Sequence, residues 1–121
     1  SNMVLWVKDS LTANKSINVV NDQFRTPTWA EDLAWGCLTI GKNNKTGIYH
    51  LSGKDYVAML EFAYQIARYF DLDEQLISEI TSESLNQAAK RPPNTGFKLD
   101  KAKRDLGYDP KSISEYLGLI K

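Results

Sequence analysis

The sequence predicts a mixed α/β domain built from a small sheet and about five helices. Three observations carry that expectation. Helical and extended hydrophobic patterns alternate along the chain, an arrangement that lays helices against a sheet. Hydrophobic residues make up 42% and charged residues 25%, a balance that belongs to a folded globular protein and not to a disordered one. The 121 residues fit one domain and suffice to bury a core without disulfide or metal staples. Residues 3–121 are therefore read as one domain, with Ser1-Asn2 set apart as the scar of a cleaved expression tag.

Val4, Val7 and Leu11 recur at helical spacing, which predicts a short amphipathic helix at the start of the chain with no evident cap. Ile17–Val20 is rich in β-branched residues and reads as a strand. Residues 21–27 read as a polar loop closed by Pro27. Thr28 and Glu31 have the spacing of a capping box, and Ala30, Leu33, Ala34, Cys37 and Leu38 then share one face of the helix it opens. That helix fades over residues 41–44. Residues 47–51 read as a strand stopped by Ser52-Gly53. A longer helix is expected over about residues 55–70, with Met59, Phe62, Ala63, Ile66, Ala67 and Phe70 as its buried stripe. Residues 76–80 read as a short strand, and Ser84 with Gln87 as the cap of a helical turn. Arg91-Pro92-Pro93-Asn94 ends any helix, because two prolines remove two donors and restrict the residue before them. Asp100 is expected to cap a short helix that stops near Leu106 with Gly107 left-handed. After a turn at Tyr108-Asp109-Pro110, Ser112 and Glu115 form a second capping box. Ile113, Tyr116, Leu117 and Ile120 line one face of the last helix.

Fifteen basic residues balance fifteen acidic ones, so the overall charge gives no bulk grip on nucleic acid or an anionic membrane. A local basic pocket is compatible with that balance. No apolar run approaches the roughly 20 residues needed to span a bilayer, and the start has no signal-peptide pattern; the expected compartment is the cytoplasm. Cys37 alone can form neither an internal disulfide nor a metal cluster, and on an apolar stripe it reads as a buried, inert thiol. His50 reads as a structural residue. Trp29 and Trp35 read as packing residues, with stacking on a base or sugar as the alternative. There is no glycine-rich dinucleotide loop after a strand, no Tyr-x-x-x-Lys, no P-loop, no Gly-x-Ser-x-Gly and no metal-spaced His or Cys. The chain's own residues supply no catalytic, cofactor or metal site.

Three stretches stand out, in order. Val19-Val20-Asn21-Asp22-Gln23-Phe24-Arg25-Thr26-Pro27-Thr28, followed by Asp32-Leu33-Ala34, is similar to V-V-x-D-Q-x-x-x-P-T leading into D-L-A. Gly47-Ile48-Tyr49-His50-Leu51-Ser52-Gly53 is similar to G-I-Y-H-L-S-G. Arg91-Pro92, then Leu99-Asp100, Lys103, Leu106-Gly107 and Pro110, is similar to a closing R-P, L-D-x-x-K and L-G-x-x-P. Together they resemble the C-terminal part of the extended short-chain dehydrogenases/reductases, most of all the dTDP-4-dehydrorhamnose reductases. In that family an N-terminal Rossmann domain holds NAD(P)H and the catalytic Ser/Thr, Tyr and Lys, and a smaller C-terminal region binds the sugar nucleotide. The resemblance implies that this chain is the substrate-binding portion of a Rossmann-type protein. The Rossmann domain would be absent from it, NADPH or NADH would belong to the parent protein, and the ligand would be a dTDP-sugar.

The resemblance also selects candidate substrate-binding residues. Arg25 precedes a helix and falls where sugar-nucleotide epimerases place a phosphate-binding Arg; the dehydrorhamnose reductases often have Gly there. Arg91 matches the Arg-Pro motif near the nucleotide diphosphate. Arg suits that role because its planar fork fits phosphate. Gln23 offers hydrogen bonds to a sugar or base, Thr28 a hydroxyl beside the helix start, and Asn94 and Lys98 further donors in the loop after Arg91. Three functions compete: the sugar-nucleotide side of a reductase that makes dTDP-L-rhamnose, part of another sugar-nucleotide epimerase or dehydratase, or a non-catalytic regulatory subunit. The reductase reading adds one expectation: the isolated chain self-associates through the surface a Rossmann domain would cover.

Overall fold

The structure, a computed structural model, describes residues 2–120. Its elements are α1 (Met3–Thr12), β1 (Ile17–Val20), β2 (Phe24–Arg25), α2 (Ala30–Lys42), β3 (Val57–Ala58), α3 (Met59–Tyr69), β4 (Ile77–Ile80), α4 (Asp100–Leu106) and α5 (Ile113–Leu117), with 3₁₀ turns at Glu74–Leu76 and Ser82–Leu85. The mixed α/β class with five α-helices is as expected. The chain forms two compact units, each from two stretches of sequence. One runs up to Arg25 and resumes over Val57–Asn94; the other takes Thr26–Tyr56 and the residues from Thr95 onward.

In the first unit, β1 and β4 pair in parallel, Ile17 opposite Ile77 and Val20 opposite Ile80. Ile17, Val19 and Ile77 are buried beneath Val4, Val7 and Leu11 of α1 and Phe62, Ala63, Ile66 and Ala67 of α3. These are the residues whose spacing predicted the two helical stripes. α1 does have a cap: the Asn2 side chain accepts the Val4 N–H at 2.8 Å, satisfying one of the free donors of the first turn. α3 begins at Met59, later than expected, because Val57 and Ala58 pair antiparallel with β2. The expected loop over residues 21–27 therefore contains a two-residue strand.

The second unit is held differently. Its core is Leu99, Ala102, Leu106 and Tyr108, with Ile40, Tyr49 and Leu51 packed against it. Residues 47–51 form no strand; they lie along α4 instead. Tyr49 donates its hydroxyl to Asp105 at 3.1 Å, and Lys101 donates to the Ile48 carbonyl at 2.8 Å while sitting 4.3 Å from the Tyr49 ring centre. The hydrogen bond from Arg104 holds the Asp105 carboxyl below its usual range, and burial, aided by Asp105, pushes the Tyr49 hydroxyl up. Gly107 stops α4 with φ 69°, the left-handed turn expected of it. Asp100 is the first residue of α4, not its cap; Leu99 holds that position without a side-chain bond. Ser112 and Glu115 form the expected capping box of α5. Trp29 stacks on Tyr116, ring centres 5.6 Å apart, as a packing residue.

Three further expectations are corrected. Thr28 and Glu31 make no capping box: α2 starts one residue later, with Trp29 at the N-cap and no side-chain cap bond. The Thr28 hydroxyl is committed elsewhere, donating to the Thr26 carbonyl at 2.9 Å and accepting the Gly53 N–H at 3.0 Å. The inward face of α2 carries Asp32 and Gly36, with half-buried Ile40 at the next i+4 step, so Leu33, Cys37 and Leu38 are exposed. Asp32 is drawn in because its carboxylate accepts the Lys111 N–H at 2.8 Å; Cys37, one step round from Gly36, faces away and is not a buried thiol. Last, the turn at Ser82–Leu85 has no Ser84–Gln87 cap: the Ser84 hydroxyl donates to the Thr81 carbonyl. His50 is exposed and stacks on Phe97 at 4.8 Å.

Candidate functional site

In the first unit the tandem proline segment meets β2. Pro92 and Pro93 have no N–H, so this stretch can be paired through its carbonyls alone, as suits an edge position. The Phe24 N–H donates to the Pro93 carbonyl at 2.7 Å, and Phe24 and Asn94 form a parallel bridge. β2 thus has β3 on one side and residues 93–94 on the other.

Arg25 fastens the same junction. One terminal nitrogen donates to the carbonyls of Phe24 at 2.8 Å and Pro93 at 3.3 Å. The other donates to the Pro92 carbonyl at 2.9 Å and to Gln23 Oε1 at 3.3 Å. Four of the five guanidinium donors are thereby occupied. Gln23 is 7% exposed, and its Nε2 has no partner among the described residues. Arg25 fixes the amide's orientation, since a flip would set two donors face to face. A buried donor without a partner costs about 1–3 kcal/mol, so Gln23 is held there by something other than its own satisfaction.

Beside this junction lies a cavity of about 700 Å³, lined by Asp22, Ser82, Asn86, Lys90, Arg91 and Pro93 among others. Asp22 closes one corner: its carboxylate accepts the Ser82 N–H at 2.9 Å and the Ser82 hydroxyl at 2.8 Å. Lys90 and Arg91 are exposed and make no hydrogen bond or ion pair with any described residue. Lys90 and Arg91 are the two cations of the lining and can each meet an anionic group, while the neutral donors of Ser82 satisfy the hydrogen bonds of Asp22 without cancelling its charge. Glu83 also lines the cavity and sets a limit on how negative a ligand can be near the turn.

Of the six candidate residues, the structure brings Gln23, Arg25, Arg91 and Asn94 into this one region. Thr28 and Lys98 belong to the second unit. Thr28 ties the chain ahead of α2 to Gly53, and Lys98 lines a shallower hollow of about 370 Å³ with Lys54, Tyr56, Phe97 and Lys103. Sequence reasoning missed Lys90; its place in Lys-Arg-Pro-Pro was the signal. It also missed the extent of Arg25's bonding, which depends on a carbonyl pair 67 and 68 residues away. Among the described residues no group of three or more His, Cys, Asp or Glu is placed to hold a metal ion, and no helix is long and apolar enough to cross a membrane.

Comparison with known proteins gives the frame for this geometry. The dTDP-4-dehydrorhamnose reductase of Aggregatibacter actinomycetemcomitans is 32% identical over 123 residues, covering 92% of this chain and 42% of that protein. Methionine adenosyltransferase 2 subunit beta of Xenopus laevis is 32% identical over 97 residues, covering 76% and 29%. The crystal structure of dTDP-4-dehydrorhamnose reductase from Bacillus anthracis, in complex with NADP, superposes with a TM-score of 0.87 at 26% identity, covering 98% of this chain and 42% of that one. The chain thus spans less than half the length of each of these proteins. The profile of the RmlD substrate binding domain matches residues 1–120, and the chain belongs to that family.

Proposed function

We propose that this chain supplies the sugar-nucleotide side of a dTDP-4-dehydrorhamnose reductase-like, NAD(P)H-dependent oxidoreductase, and that its ligand is a dTDP-sugar on the way to dTDP-L-rhamnose. The observation that carries the reading is the family match over residues 1–120; Lys90 and Arg91 in the cavity lining support it. In such an enzyme the nicotinamide supplies the hydride for a C4 keto group. The described residues do not fit a dinucleotide. β1 and β4, the paired parallel strands, run into segments without glycine: none lies between Val20 and Ala30, nor between Ile80 and Gly96, and a dinucleotide fingerprint needs that glycine-rich turn. No step of the reduction is assigned to these residues. Their part is to bind and orient.

Arg91 and Lys90 are the cations offered to the diphosphate, with Gln23, Arg25 and Asn94 in the wall behind them; Thr28 and Lys98, in the second unit, are kept as substrate-binding candidates of that unit by itself. The reading places the protein in the cytoplasm and, for the isolated chain, includes self-association through exposed apolar residues such as Leu33 and Leu38. A non-catalytic subunit is the second reading, favoured by the likeness to the adenosyltransferase subunit beta. Part of an epimerase or dehydratase is less favoured, because the Arg25 that suggested it has four donors already engaged.

The test is an NMR titration of the full chain with dTDP and with thymidine. dTDP should move the amides of residues 86–91 and of Asn94 and bind at least tenfold tighter than thymidine, a difference set by the charged phosphates. Equal responses, or none, overturn the reading. Expressing the whole gene and assaying NADPH oxidation with a dTDP-4-keto-6-deoxyhexose separates the two functions: turnover supports the reductase, and its absence the subunit.

A further inference from the structure

We propose that Arg25 is a positioning residue: its guanidinium clamps the 91–94 segment onto β2, so that Arg91 and not Arg25 presents positive charge to a phosphoryl ligand in the cavity. The proposal rests on the sugar-nucleotide reading for the ligand and on geometry for the clamp. Arg25 is half-buried and Arg91 exposed. A guanidinium that meets four acceptors, three of them main-chain carbonyls, has one N–H left for anything else. Two of those carbonyls belong to Pro92 and Pro93, the residues directly after Arg91. The prolines cannot join a ladder through N–H groups of their own, so the Phe24 N–H and Arg25 provide the attachment. Without Arg25 the backbone that aims Arg91 loses the guanidinium's two contacts with the Pro92 and Pro93 carbonyls. Gln23, buried with its Oε1 on Arg25, braces the fork from behind and accounts for a buried amide that is otherwise poorly satisfied.

Lysine tells a clamp from a ligand contact. It keeps the charge but offers one compact ammonium, which cannot serve four acceptors spread around a plane. We would titrate dTDP into the full chain and into Arg25→Gln, Arg25→Lys and Arg91→Gln, each at low and high salt. A clamp predicts that both Arg25 variants weaken dTDP about tenfold and equally, while the salt dependence of binding stays that of the unaltered protein. Arg91→Gln should also cost about tenfold and should flatten the salt dependence, since a charge that meets the ligand has gone. If Arg25→Lys binds like the unaltered protein and Arg25→Gln flattens the salt dependence, Arg25 is the direct contact and the proposal is overturned. If the unaltered chain binds no dTDP, the sugar-nucleotide reading fails and hydrogen exchange decides the clamp. Arg25→Gln should then raise exchange at the Phe24 amide about tenfold, with the Ile66 amide unchanged as evidence that the fold persists. Gln23→Met removes one acceptor and no charge, and should raise Phe24 exchange about threefold. Unchanged Phe24 exchange in these variants overturns the clamp.

Discussion

Helices α3 and α2 carry the same kind of apolar spacing and meet opposite surroundings. Phe62, Ala63, Ile66 and Ala67 of α3 are buried to a few per cent or less, and their stripe faces α1 and the parallel pair of strands. α2 turns Asp32 and Gly36 inward and leaves Leu38 70% exposed. The difference lies in what each unit packs with. The first has a strand pair and two amphipathic helices, so apolar area decides which face is buried. The second packs α2 against α4 and against loops, and loops bring unpaired backbone groups that must be satisfied. Asp32 accepts the Lys111 N–H, Asp55 accepts the Ile113 N–H at 2.7 Å, and the Tyr108 hydroxyl donates to the Ser52 carbonyl at 2.8 Å. A side chain that does such work is pulled inside whatever its hydropathy.

The largest expected contrast is between truncations of the two faces. Ile66→Ala removes atoms from a site with no exposure and should cost about 2–5 kcal/mol. Leu38→Ala should stay within about 0.5 kcal/mol. Urea unfolding of the two variants measures both. Equal losses would mean that the α2 face is covered in solution, and the comparison would then turn on protein concentration, which should change the Leu38→Ala value and not the other.

What was legible in the sequence follows the same line. α1 and α3 were legible with their buried faces, and β1 and β4 as strands, because regular elements with a shared core write their period into the chain. The α5 capping box and the Gly107 stop were found because capping is local chemistry within four residues. The strand expected at residues 47–51 was not there: an apolar alternation records burial and says nothing of whether a neighbour strand or a helix provides it. The Thr28–Glu31 pair had the right spacing, yet Thr28 was claimed by Gly53, 25 residues on. The site divides likewise. The motif singled out Arg91 as a candidate, and it lines the cavity, whereas the bonding of Arg25 depends on two distant carbonyls, and no local pattern encodes that.

A middle-sized contrast sets one glycine against another within the second unit. A Cβ at Gly53 would lie 1.9 Å from the Pro27 carbonyl oxygen, a backbone atom that cannot yield without moving the chain. Gly53→Ala should cost about 1–3 kcal/mol, the scale of overpacking, and should also loosen the Thr28 contact. A Cβ at Gly36 would lie 2.6 Å from a Leu51 methyl, the end of a flexible side chain. The helix gains about 1 kcal/mol when Gly becomes Ala, so Gly36→Ala should come out near neutral. Thermal unfolding of the pair tests whether backbone proximity, and not small size alone, requires Gly53.

The smallest effect concerns Glu115 and sharpens the comparison at the level of single charges. α3 and α2 start without a side-chain cap bond, while α5 has both halves of its box. The Ser112 N–H donates to Glu115 at 3.2 Å, and this bond, the largest cause, holds the Glu115 carboxyl below its ordinary value. The folded state therefore binds the proton less readily than the unfolded state. Its contribution is complete above the unfolded value of about 4.3 and fades as pH falls through the lower folded value. Glu115→Gln should abolish that dependence at α5 and leave it elsewhere. The protection factors of the Tyr116 and Leu117 amides, which divide out the intrinsic pH dependence of exchange, should fall below about pH 4.3 in the unaltered chain and fall less in the variant. Exchange at Ile66, in a helix with no such carboxylate at its cap, should show no difference between the two proteins. If Tyr116 and Leu117 are protected alike in both, the box is a geometric coincidence, and α5 is held by its buried side chains, by Trp29 on Tyr116 and by the Asp55–Ile113 hydrogen bond.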